Sequence, residues 1–168
     1  MIAGYCWNWE SKNNENKYDI VLDEGQFKAQ WNFSKTKTWA IDEDSVNQIG
    51  CIHTSQGLEF SYAGIIIGDD LRYEHGKVIT DFSKRAKSDK SLEGLKTDCR
   101  KGNPEALKIA DTLIRNTYRT LLSRAMKGCF VYCTDKALAS YLKKRIKEND
   151  KMYHLFTDGM MLAENPRA

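Results

Sequence analysis

The chain has 168 residues, 41% hydrophobic, 29% charged and 11% aromatic, which is enough apolar material and length for one globular core. No run approaches the ~18 apolar residues that cross a bilayer, and Met1–Trp7 meets polar Asn8 and Glu10 too early for a signal peptide, so no membrane partner and a cytoplasmic location are expected. The net charge of +3 is too small to demand a nucleic-acid partner by itself, so the placement of charge matters more than its sum.

The opening residues read as short strands and loops: Ile2 to Trp9, Tyr18 to Leu22 and Phe27 to Phe33, separated by the polar stretch Ser11–Lys17. Trp7 and Trp9 alternate on one strand face, where packing is favoured over base stacking. Ile49 to His53 reads as a strand entering a tight turn at Gly57. Tyr62 to Gly68, with three consecutive isoleucines, reads as a central strand buried on both faces. Leu71 to Thr80 fits a hairpin turning at Gly76.

From Asp81 to Gly102 the hydrophobics thin out, and seven basic residues face four acidic ones, which predicts a mobile basic loop. Asn103 and Pro104 then open a long helix whose apolar stripe runs from Ala106 through Ala110, Ile114 and Tyr118 to Leu121, ending at Gly128. Cys129–Cys133 is a further strand, and Asp135 caps a second helix from Lys136 to about Lys147. Strands alternating with helices predict an α/β layered domain with a mainly parallel sheet.

The five cysteines are odd in number and scattered, as expected in a reducing compartment. On a strand, Cys129 and Cys133 would lie about 13 Å apart, beyond the ~7 Å reach of a disulfide. His53, His75 and His154 lie far from any tight cysteine pair, so no metal site is expected.

Two segments carry candidate chemistry. In His53-Thr54-Ser55-Gln56-Gly57-Leu58-Glu59-Phe60 a glycine permits close approach to a phosphate, hydroxyls can donate to one, and a carboxylate can accept from a ribose; the expected place is the carboxyl edge of the sheet. In Asn116–Gly128, Arg124 stands between a helix and the next strand, where its planar, permanently charged fork suits a neighbour's phosphate.

Ile52–Phe60 resembles motif V of superfamily-1 helicases, and Tyr118–Ala125 resembles their motif VI. The opening Ala3–Trp9, the run Tyr62–Leu71 and the block Asn116–Gly128 resemble the Schlafen group 3-like DNA/RNA helicase family of bacteria, over nearly the whole chain to about Leu142.

The resemblance implies a RecA-like three-layer lobe over residues 1–150, with basic loop 81–102 inserted and a C-terminal tail at 151–168. It would be the second, C-terminal lobe of an ATP-dependent helicase or translocase. Arg124 would then be the arginine finger on the γ-phosphate. Gln56, Gly57, Glu59 and Arg119 would face the nucleotide, although relatives often carry a small residue at the position of Arg119. His53, Thr54 and Ser55 would face the nucleic-acid backbone, with ordinary packing an equal reading for His53.

No Gly-x-x-x-x-Gly-Lys-Ser/Thr occurs. ATP and Mg2+ are therefore expected on an absent N-terminal RecA-like lobe, the chain being an excised domain that is inactive alone. The expected partners are that lobe and single-stranded DNA or RNA. The alternative is a non-catalytic nucleic-acid-binding or nucleotide-sensing module of the same fold.

Overall fold

The computed structural model describes residues 1–32 and 39–163. In chain order its elements are β1 (Ile2–Ala3), β2 (Ile20–Leu22), β3 (Phe27–Trp31), β4 (Gln48–Ile49), β5 (Phe60–Ile67), β6 (Leu71–Glu74), β7 (Lys77–Thr80), α1 (Leu95–Arg100), α2 (Pro104–Leu122), β8 (Ala125–Cys133) and α3 (Lys136–Ala163). Phe33, expected to close the third strand, and residues 164–168 of the expected tail lie outside the described residues.

β5 pairs in parallel with β1 on one side and β8 on the other, while β3 pairs in parallel with β4. A parallel bridge between Ile2 and Gly50 joins the two ladders, with Ala3 N–H to Gly50 O and Gly50 N–H to Met1 O both 2.9 Å. The strands thus run in the order β2-β3-β4-β1-β5-β8, with β2 alone antiparallel. The strand that the three isoleucines mark, β5, is an interior strand flanked by β1 and β8, and Ile65, Ile66 and Ile67 are all buried.

Alternation along the strands sorts the core into two clusters. On one face Ile2, Ile65, Ile67 and Cys133 meet Ile114, Tyr118 and Leu121 of α2 and Leu138 of α3. On the other, Ala3, Ile49, Ile66 and Trp31 meet Tyr5, Trp7 and Trp9. The Trp7 ring lies 6.5 Å from that of Trp31, and its carbonyl accepts the Trp31 indole N–H at 3.2 Å. Helices, sheet and an aromatic covering segment make an α/β domain compatible with a RecA-like three-layer fold.

The helix ends follow local chemistry. Asn103 Oδ1 accepts the N–H groups of Glu105 and Ala106 at 3.0 and 3.2 Å, capping α2 ahead of Pro104. α2 ends at Leu122, and Gly128, expected to terminate it, lies inside β8 opposite Tyr62. Pairing with β5 from Ala125 onward captures those residues for the sheet. Asp135 Oδ1 caps α3 through Ala137 and Leu138 N–H, and its Oδ2 accepts Tyr73 N–H at 2.9 Å, tying the β6–β7 hairpin to that helix. α3 continues to Ala163, well past Lys147. At the hairpin, His75 and Gly76 both have positive φ, 50° and 78°, the turn that matches strand twist.

The segment from 81 to 102 departs from the loop its composition predicts. It forms two 3-10 turns, Phe82–Lys84 and Lys90–Leu92, and helix α1, with Ala86, Leu92 and Cys99 buried. The few apolar residues it has pack with Ala106 and Ala110 of α2. Each 3-10 turn is capped by an aspartate: Asp81 accepts from Ser83 N–H at 2.9 Å and Asp89 from Ser91 N–H at 3.0 Å.

Candidate nucleotide-facing site

The strand expected over Ile49–His53 stops at Gly50 because side chains compete for its backbone groups. Thr54 Oγ1 accepts Cys51 N–H at 2.7 Å and bonds Cys51 O at 3.0 Å, while the Ser55 hydroxyl donates to Ile52 O at 3.2 Å. Thr54 and Ser55 therefore shape the turn, and fully buried Ser55 offers no surface to a ligand. His53, Gln56 and Glu59 are exposed, and their side chains make no hydrogen bond among the described residues. Gly57 has φ 75°, and a Cβ there would meet nothing within 4 Å, so the backbone stands open to close approach.

The run begins past the carboxyl end of β4 but finishes at the amino end of β5, so the carboxyl-edge expectation fails for its second half. Here it meets Arg124. Phe60 N–H donates to Arg124 O at 2.8 Å, and the guanidinium donates from Nε to Thr120 O at 3.3 Å and from an Nη to Leu58 O at 3.4 Å. Arg124 is half-buried and has no carboxylate partner among the described residues. Two neutral carbonyls occupy part of a five-donor fork and leave its charge uncompensated. Arg115, by contrast, is spent on Asp111 at 2.9 Å and Val78 O at 2.7 Å. Arg119 is exposed, and its side chain has no bonded partner among the described residues.

The fold thus brings Arg124 beside the Gly57–Glu59 stretch although 66 residues separate it from Leu58. No bond links it to His53, Thr54 or Ser55 among the described residues.

Residues 1–135 match the family Schlafen group 3, DNA/RNA helicase domain. The chain belongs to that family. Both candidate motifs of this Schlafen group 3 domain lie inside the matched span. It is also 26% identical over 125 residues to the uncharacterized protein YPL245W of Saccharomyces cerevisiae, covering 73% of this chain and 27% of the yeast protein. The chain thus spans about a quarter of the length of that curated relative. No solved structure matches. No described helix is long and apolar enough to cross a membrane.

Sequence reasoning missed a buried polar cluster behind the Tyr118–Ala125 segment of this helicase domain. The Tyr118 hydroxyl accepts Gly68 N–H at 3.0 Å and donates to Asp70 Oδ1. Asp70 Oδ2 pairs with Arg85 at 3.1 Å, and Arg85 Nε with Asp89 at 2.7 Å, with every side chain at most 5% exposed. Burial pushes the Tyr118 phenol and the nearby Cys6 thiol well up, so both stay protonated at neutral pH. Burial also opposes ionisation of Arg85 and Asp89, but their mutual attraction and hydrogen bonds outweigh it, raising the pKa of Arg85 and lowering that of Asp89. The signal was available: Asp69-Asp70 directly follows a buried apolar strand, where a carboxylate needs a partner.

Proposed function

We propose that this domain is the C-terminal motor lobe of an ATP-dependent DNA/RNA helicase or translocase, supplying Arg124 to an ATPase site completed by a second lobe. The observation that carries the reading is the uncompensated guanidinium held beside the open Gly57 turn. A charge left unpaired at the surface, on a side chain steadied by two carbonyls, is poised for an anion brought by a neighbour. In this reading the other lobe holds ATP and Mg2+, and Arg124 stabilises the charge that develops on the γ-phosphate. Gln56, Gly57, Glu59 and Arg119 border the nucleotide, and His53 faces the strand. Tyr62 and Met126, both 62% exposed near the amino ends of β5 and β8, offer apolar surface to the docked lobe.

The test is strand-stimulated ATP hydrolysis by the complete protein carrying both lobes. Arg124→Ala is expected to lower turnover by about 10³-fold or more while ATP affinity stays nearly unchanged, and Arg124→Lys recovers little because a point charge lacks the fork. Turnover of Arg124→Ala equal to wild type would sink the assignment.

A further inference from the structure

The basic segment between β7 and α2 is better built than a solvated charge run. Its acidic residues are largely consumed internally. Asp89 is buried on Arg85, Asp81 is bonded to Ser83 and pairs with Arg72 at 3.1 Å, and Asp98 lies 3.7 Å from Lys101. Glu93 alone of the four acids makes no ion pair among the described residues. Against it stand Lys84, Lys87, Lys90 and Arg100, all exposed and without an ion pair among the described residues. The surplus charge therefore faces water.

Part of that surplus converges on a concavity. Lys87, Lys90 and Lys96 line a cleft of about 300 Å3 together with Glu93, Gly94 and Asp89, the last already paired with Arg85. Its floor is held rigid because Asp89 ties the second 3-10 turn to Arg85, and Arg85 is locked to Asp70 at the end of β5. Lys96 Nζ donates to Ala86 O at 2.7 Å. Partial burial lowers the Lys96 pKa, with Asp89 opposing the shift and Arg85 and Arg100 adding to it.

We propose that this cleft grips a phosphate of a single nucleic-acid strand, with Lys87 and Lys90 as its contacts and Lys96 as its rim. The proposal rests on the helicase reading above for the choice of strand over other polyanions, yet it needs neither ATP nor Arg124. A lysine pair on a pinned backbone contacts phosphate without reading sequence, so the site serves affinity and register.

The experiment is fluorescence anisotropy of a labelled single-stranded oligonucleotide titrated with the protein at several salt concentrations. Lys87→Glu with Lys90→Glu is expected to weaken binding by at least about tenfold at low salt and to flatten the salt slope by about 0.7 for each phosphate no longer neutralised. Lys143→Glu with Lys147→Glu, an equal charge change on exposed residues of α3, is expected to leave both nearly unchanged. Circular dichroism verifies that each variant is folded. Wild-type affinity in the cleft variant, an equal loss in the α3 variant, no strand binding by the wild type, or preference for a polyglutamate peptide would each overturn the proposal. Because the assay contains no ATP, loss of the Arg124 assignment and loss of this one are separate results.

Discussion

Arg85 and Arg124 show how the same side chain takes opposite roles by environment. Arg85 is 2% exposed and paired on both sides, whereas Arg124 is half-buried with carbonyls alone. Removing Arg85 leaves two buried carboxylates without a counter-charge, and the cost of an orphaned buried charge is about 3–5 kcal/mol. Arg85→Met is therefore expected to lower the urea midpoint by that equivalent, and a loss below about 1 kcal/mol would show that water or another group compensates. Arg124→Ala breaks only two long bonds to carbonyls and is expected to change stability little, so the two variants separate an arginine that holds the fold from one the fold can spare. The candidate finger was legible because Ser123-Arg124-Ala125 sits at a helix-to-strand junction. Arg85 was not, since nothing local distinguishes it from the six other basic residues of its segment; what singles it out is Asp70, fifteen residues away and buried.

At the scale of the element, α2 was readable from end to end except at its stop. Its stripe buries Ala106, Ala110, Ile114, Thr117, Tyr118 and Leu121, and its cap is the Asn103-Pro104 pair. Asn103→Ala removes the acceptor for two N–H groups and is expected to cost about 1 kcal/mol, read as a lower thermal midpoint, with Asn103→Asp restoring most of it. An unchanged midpoint would mean that packing against α1 alone holds the first turn. The helix stops at Leu122 rather than Gly128 because β5 offers a parallel neighbour to the residues that follow. The basic segment was misjudged for a related reason: few hydrophobics suffice when they dock on an existing helix and polar caps supply the turns. Thr54 and Ser55, which the family resemblance places against nucleic acid, close their hydroxyls on their own backbone.

Across the whole molecule, carboxylates do much of the fastening between elements. Asp89 holds the basic segment, Asp81 meets β6 through Arg72, Asp111 joins α2 to Thr80 at 2.8 Å, and Asp135 joins α3 to the hairpin. Burial raises each pKa, but the bonds they accept prevail and all four lie below the ordinary carboxylate value. A carboxylate whose folded pKa is depressed contributes stability above its unfolded pKa, near 3.9, and loses it as pH falls through the folded value. The urea midpoint is therefore expected to hold from about pH 7 to 5 and to drop steeply below about pH 4. Asp135→Asn is expected to shallow that drop, and a midpoint flat to pH 2 would refute the fastening role.

The sequence by itself determined the α/β class, the buried isoleucine strand, the hairpin and the capped helix, because each depends on contacts within a few residues or on a periodicity that one segment carries alone. Tertiary structure decided which strands adjoin, that Arg124 reaches Leu58, that Arg85 is buried on Asp70, and that three lysines converge on one cleft. Those outcomes depend on groups far apart in the chain, and their energies exist only once the sheet has brought them within bonding distance.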